Sequence, residues 1–213
     1  MCFTRSSTMW RLALLLVSAL SVRVVDAGMI DKDGMAEWEI CAMCHGANGI
    51  SAMSKFPILA GQKTSYIVQQ FGRFSRGERT NDSGQMQGIT TEVEPSAVAA
   101  IAEYFASLDP PEKVALDAAF KDENVELIQR GGTLFNKGRA GVLACAACHA
   151  DKDSSAPWID GQHRDYVYKQ LVDFAAGRRL KSNGHGGEGS IHLSDKDMAA
   201  VAFYVSTLWL VRD

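Results

Sequence analysis

Apolar residues along this chain recur at helical spacing. Tyr66, Ile67, Gln70, Phe71 and Phe74 fall at that spacing in a helix predicted over 63–75. Val98, Ile101, Ala102 and Phe105 share one face of another over 95–108, with Pro95 suited to its first turn. The same reading predicts helices near 33–43, 127–136, 164–176 and 195–208. Ser194-Asp195-Lys196-Asp197 is a start signal for the last of these. The fold class is therefore all-α. Asp109-Pro110-Pro111 closes the first set of helices, and the charged stretch to residue 126 connects it to the second.

One apolar run does not belong to this pattern. Arg5 and Arg11 precede Leu12 to Leu20, and Val25-Asp26-Ala27 offers small residues for cleavage. This reads as a secretory signal peptide over 1–27. The run is too short to span a bilayer comfortably, and Arg23 interrupts its extension. The remainder has no long apolar segment, so we expect a water-soluble mature protein in the periplasm.

The chain also repeats itself. Pro57-Ile-Leu-Ala-Gly61-Gln62 is matched by Pro157-Trp-Ile-Asp-Gly161-Gln162. The same offset of one hundred pairs Tyr66 with Tyr166, Gln70 with Gln170, Phe74 with Phe174, Gly77 with Gly177 and Arg79 with Arg179. It continues through Tyr104 with Tyr204 and Leu108 with Leu208. Such coincidence implies two copies of one unit. We divide the mature chain into unit 1 (28–109), a linker (110–126) and unit 2 (127–213). Each unit is small for a self-sufficient apolar core.

The chemistry lies in the cysteines. Cys2 falls in the signal, and the other four form Cys41-Ala-Met-Cys44-His45 and Cys145-Ala-Ala-Cys148-His149. Two disulfides are the competing use of four cysteines in an exported chain. The histidine directly after each pair points instead to covalent haem. A two-residue gap brings both thiols to one edge of a porphyrin, where they add to its two vinyl groups, and the next residue stands under the iron. Zinc would need further Cys or His close by, and neither motif has them. Two haem c groups are thus expected, with His45 and His149 as proximal ligands. They would supply the missing interior of each unit. The motifs are 104 residues apart, so the second loop from His to Pro is four residues shorter.

A low-spin haem needs a second axial ligand. In unit 1 the candidate is Met86, in the polar loop 80–92. Met53 follows His45 too closely to reach the opposite haem face, and Met35 and Met43 are expected to pack beside the first helix. Unit 2 breaks the pattern. The position matching Met86 is Gly186, and the loop Asn183 to His192 contains no Met. Its neighbour His185 is the candidate ligand, His192 the runner-up, and an open site the remaining alternative. His163 is expected to face solvent or a propionate. Pro57 and Pro157 are placed to hold a carbonyl against the proximal imidazoles. Tyr66, Tyr166, Arg79 and Arg179 are candidates to reach haem propionates. Core packing for the tyrosines and a solvated surface for the arginines are the alternatives. Trp158 is expected to pack on haem.

With these residues together, the chain from about 30 to 210 resembles the di-haem cytochrome c4 family. The resemblance rests on CAMCH and CAACH, the repeated Pro-x-x-x-Gly-Gln, the following Tyr and Phe-x-x-Gly-x-Arg, and the closing Tyr-x-x-x-Leu. It implies two tandem cytochrome c-like domains, each wrapped round one covalently bound haem, related by a pseudo-twofold with propionates near the interface. It implies electron transfer between a membrane quinol-oxidising complex and an oxidase or other acceptor. The cytochrome subunit of sulfide-oxidising flavocytochrome c is similar in plan. The family uses His/Met at both haems, and this chain departs from it at the second distal position.

Charge narrows the partners. The chain carries 22 basic and 25 acidic residues and a net −3. Loss of 1–27 leaves 19 basic and 24 acidic, and propionates add further negative charge. No basic patch suits nucleic acid. The expected partners are redox proteins, a donor and an acceptor. A haem oxidoreductase with an open second site, or the cytochrome subunit of a larger enzyme, is the alternative function.

Overall fold

The computed structural model describes residues 30–111, 124–179 and 193–208. The signal segment and the loop holding His185 and His192 lie outside them. Eight helices carry the described chain. The first set is α1 (Glu39–His45), α2 (Thr64–Ser75), α3 (Gln85–Thr90) and α4 (Val98–Ser107). The second is α5 (Val125–Lys137), α6 (Ala146–His149), α7 (Arg164–Ala175) and α8 (Asp195–Thr207). Among the described residues the only extended pairing is one isolated bridge, Arg139 with Val142. No helix there is long and apolar enough to cross a membrane.

Five of the six helices expected from spacing match within about three residues. The first does not. It was expected from residue 33, but Gly34 takes a left-handed φ of 74° and the chain turns until Glu39. The Glu39 side chain accepts from Ala36 N–H at 2.7 Å, which closes that turn. The short α3, inside the expected loop, was not anticipated. It has only six residues, and the last three, Gly-Ile-Thr, are weak helix formers.

Each set buries its own core. In the first, Ile40, Val93, Ala97, Ile101 and Phe105 cluster together. In the second, Leu134, Phe135, Val142, Val167, Met198, Val201 and Val205 do so. Ile101 matches Val201 and Phe105 matches Val205 at the repeat offset. α5 crosses α8 so closely that a Cβ on Gly131 would fall 2.1 Å from the Ala200 carbonyl oxygen. The helix stops repeat as well. Gly77 and Gly177 take φ of 67° and 69° just past α2 and α7, a conformation open to glycine at little cost.

The sets meet along a reciprocal seam. Gln62 accepts from Trp158 N–H at 3.0 Å and donates to the Trp158 carbonyl at 2.8 Å. Gln162 does the same to Ile58, at 2.9 and 3.0 Å. Each buried side-chain amide thus substitutes for a peptide group and satisfies backbone that would otherwise be stranded. Lys63 donates to the carbonyls of Asp151 and Ser154 at 3.0 and 2.6 Å and lies 4.0 Å above the Trp158 ring. His163, at the matching position, is not turned to solvent. Its Nε2 lies 3.0 Å from both the hydroxyl and the carbonyl oxygen of Ser51, across the seam.

Candidate haem sites

The two CxxCH segments fold into the same local constellation. His45 Nδ1–H donates to the Pro57 carbonyl at 2.8 Å, and His149 Nδ1–H donates to the Pro157 carbonyl at 2.7 Å. A carbonyl can only accept, so the proton sits on Nδ1 and the lone pair on Nε2. Burial pushes both imidazoles below their usual value, against the opposing pull of the proline carbonyls. Lys63 and Arg179 lower His149 further. Both rings are therefore neutral, the form that ligates a metal. Neither Nε2 has a protein partner among the described residues.

All four motif cysteines are free thiols. Burial pushes Cys41 and Cys145 up to about 11, with a smaller rise from the second cysteine of each pair. Both thiols are therefore protonated, whereas zinc ligation wants thiolates. Among the described residues no group of three or more His, Cys, Asp or Glu could hold a metal ion. The surroundings of the two motifs differ. α1 runs unbroken through the first motif, whereas a turn at Gly138–Ala144 separates α5 from the second. His45 is 5% exposed, while His149 is half-buried. Met43, expected to pack on the first helix, is instead 55% exposed.

The seam tests whether haem fits. Arg79 and Arg179 are 5% and 7% exposed, so the solvated-surface alternative fails for both. Arg79 donates to Gln70 Oε1, Tyr166 Oη and Gln170 Oε1 at 2.8, 3.0 and 3.2 Å. Arg179 donates to Gln170 Oε1, Tyr66 Oη and Gln70 Oε1 at 2.8, 2.8 and 3.3 Å. Every one of these partners is neutral, and Arg179 Nε is buried with none. Two buried guanidiniums with no carboxylate bonded directly to them are costly unless an anion joins them. Haem propionates are such anions, and the residues present fit them. Burial alone would raise the Tyr166 phenol, yet Arg79 and Arg179 outweigh it and hold it below its usual value. Trp158, half-buried at the seam, lies under Lys63.

Met86 lies in α3, half-buried, with its backbone N–H held by Asp82 Oδ2 at 2.6 Å. Met53 is 51% exposed on the surface loop after His45. Sequence reasoning noticed the repeated Gln62/Gln162 and Gln70/Gln170 but not that they bond across the seam. It missed Asn81 and Asp173 altogether. The reversed charge at matching positions Arg73 and Asp173 was the available signal.

Asp160 is a local departure from the repeat, standing where the first set has Ala60. Leu59 and Ala60 N–H donate to the Gly49 carbonyl at 2.8 and 3.1 Å. The shorter second loop offers no such cover, and Asp160 Oδ1 is buried without a hydrogen-bond partner. Burial pushes this carboxyl up to about 6. Its folded value exceeds its unfolded one, so it favours the fold least above pH 6 and is neutral to stability below about 4. Asp160→Ala is expected to stabilise the protein by about 1 kcal/mol at pH 8, allowing for partial hydration. The gain should vanish by about pH 4. Denaturant unfolding at both pH values checks this, and an equal gain at both would refute it.

Residues 128–209 match the cytochrome c family. Cytochrome c4 of Pseudomonas aeruginosa is 36% identical over 82% of this chain and 87% of that protein. The crystal structure of reduced recombinant cytochrome c4 from Pseudomonas stutzeri superposes with a TM-score of 0.67 at 29% identity, covering 84% of this chain and 98% of that one. A thiosulfate dehydrogenase electron acceptor of Thiomonas intermedia is 30% identical over 65% of this chain and 64% of its own length. Membership of the cytochrome c class implies covalently bound haem c. By identity over four-fifths of its length, by its helical fold and by its paired CxxCH constellations, the chain belongs to the cytochrome c4 family of electron-transfer proteins.

Proposed function

We propose that this protein is an exported di-haem electron carrier of the periplasm, with residues 1–27 removed and units 28–109 and 127–213 joined by 110–126. The observation that carries the reading is the repetition of one proximal constellation, His45 with Pro57 and His149 with Pro157, on either side of a single arginine-rich seam. When bound, each haem supplies a reversible one-electron change at its iron. The chain does the rest. Cys41, Cys44, Cys145 and Cys148 tether the two groups. The Pro57 and Pro157 carbonyls orient the imidazoles. Arg79 and Arg179 neutralise propionate charge between the units, and the Tyr66 and Tyr166 hydroxyls are placed to donate to it. Met86 is the distal ligand in unit 1 and His185, or else His192, in unit 2. Methionine favours ferrous iron more than imidazole does, so the unit 1 haem has the higher potential.

Absorption and EPR spectra of the purified protein, with added carbon monoxide, test this. The expected result is a sulfur-to-iron band from half the haem, bis-histidine signals from the other half, and no carbon monoxide binding. A high-spin haem that binds carbon monoxide would overturn the carrier reading and favour an oxidoreductase acting at unit 2. The Thiomonas relative supports a thiosulfate-oxidising enzyme as one donor to this carrier. Reduction of the purified protein by such an enzyme with thiosulfate checks that pairing.

A further inference from the structure

Arg73 and Asp173 occupy matching places on α2 and α7, carry opposite charge, and are both buried. Asp173 reaches across the seam. Asn81 Nδ2 donates to Asp173 Oδ2 at 2.7 Å and to Gln170 Oε1 at 2.9 Å. Lys169 Nζ donates to the same Asp173 oxygen at 2.5 Å and also to the Asn81 carbonyl. Arg178 Nε completes the carboxylate, at 2.8 Å from Oδ1. On the other side, Asn81 Oδ1 accepts from Arg79 Nε at 3.0 Å. Both ends of the Asn81 side chain, and its backbone carbonyl, are thereby engaged.

The next residue carries this hold to Met86. Asp82 accepts from Gly84 N–H at 3.2 Å and from Met86 N–H at 2.6 Å. Between them Ser83 takes a left-handed φ of 62°, a conformation that costs a residue with a side chain. The segment faces an open groove lined by Thr80, Asn81 and Ser83 on one side and Lys169 and Val172 on the other. The two Asp82 bonds close this turn, and the cross-seam bonds of Asn81 tie its start to unit 2. Arg73, at the place of Asp173, has no acceptor for an amide N–H.

We propose that Asp173 is a positioning residue for Met86 of the opposite unit: it clasps Asn81 and so fixes the segment that presents the methionine. This rests on Met86 being the distal ligand in unit 1. Helix α7 of unit 2 thereby sets how firmly unit 1 holds its ligand.

The test is displacement of the methionine by added imidazole, in the full-length holoprotein, read as loss of the sulfur-to-iron band. Asp173→Ala should keep its covalent haem and helix content yet bind imidazole at that haem about tenfold more tightly, the scale of one lost charged hydrogen bond. Arg76→Ala, which removes an exposed ion pair with Glu78 on the same side, should stay within twofold. Met86→Ala should abolish the band. If Met86→Ala keeps the band, the ligand assignment falls and the clasp with it. If Met86→Ala loses the band but Asp173→Ala binds imidazole as the parent does, the ligand assignment stands and the clasp falls. Should Asp173→Ala fail to accumulate, Lys169→Met removes the donor shared by Asp173 and the Asn81 carbonyl while leaving the Arg178 pair. It should show a smaller rise in the same direction, and an unchanged affinity overturns the proposal.

Discussion

A chain in which Cys145 and Cys148 are both replaced by serine is expected to be exported with one haem, lighter by one haem mass and with about half the parent's visible absorbance. The physical reason lies in what those cysteines touch. Cys145 and Ala146 pack against the core of Leu134, Phe135, Val142 and Val201. A unit of this size cannot bury enough apolar surface alone, and without a tethered porphyrin that core opens to water. Helix content should fall, and proteolysis should begin in the second half of the chain. The matching Cys41/Cys44 replacement should spare the other haem. Intact-protein mass spectrometry reads both results, and a double-serine chain still carrying two haems would refute the assignment.

The second large effect is at Asp197, which is 1% exposed at the start of α8. Its Oδ2 accepts from Ser194 N–H at 3.0 Å, and the Ser194 hydroxyl caps Asp197 N–H in return. Arg130 lies 2.5 Å from Oδ1 and Arg139 2.9 Å from Oδ2. Burial would raise this carboxyl, but the Ser194 contacts and Arg130 outweigh it and hold it at about 2. Asp197→Ala is expected to cost about 2–4 kcal/mol. The lower bound combines a lost cap with lost charged hydrogen bonds. The upper bound stays below that of a stranded buried charge because both arginines are about two-fifths exposed and can rehydrate. The folded value lies below the unfolded one, so this contribution is whole above about pH 4 and is lost as pH falls toward 2. Unfolding midpoints at pH 7 and 2.5 measure it. Lys196→Ala, breaking an exposed pair with Glu126, should change stability by less than about 0.5 kcal/mol.

The sequence made some of this legible and hid the rest for physical reasons. The CxxCH motifs, the helical spacing and the offset of one hundred are local signals, and the helices and the paired proximal contacts follow from them. Helix α3 escaped notice because it is only six residues long, ends in Gly-Ile-Thr, and is held at its start by Asp82 from the preceding loop. The burial of Arg79 and Arg179 was equally hidden. An arginine reads the same in water as between two neutral amides, and only the fold of the second copy against the first decides which it meets. Gln62 and Gln162 stood out as repeats, but a repeated glutamine does not say that it will act as a peptide surrogate for the other half. His185 and His192 lie outside the described residues, so their assignment still rests on the missing methionine alone.

The reciprocity of Gln62 and Gln162 has a historical consequence. A surface on which residue i of one copy bonds residue j of the other, and the reverse, is self-complementary, as in a twofold homodimer. A lone ancestral unit bearing that glutamine could have paired with its own twin before the gene doubled. The difference between Arg73 and Asp173 then dates from after the doubling. In a homodimer both copies would carry the same charge there, and only a tandem chain lets the two positions diverge.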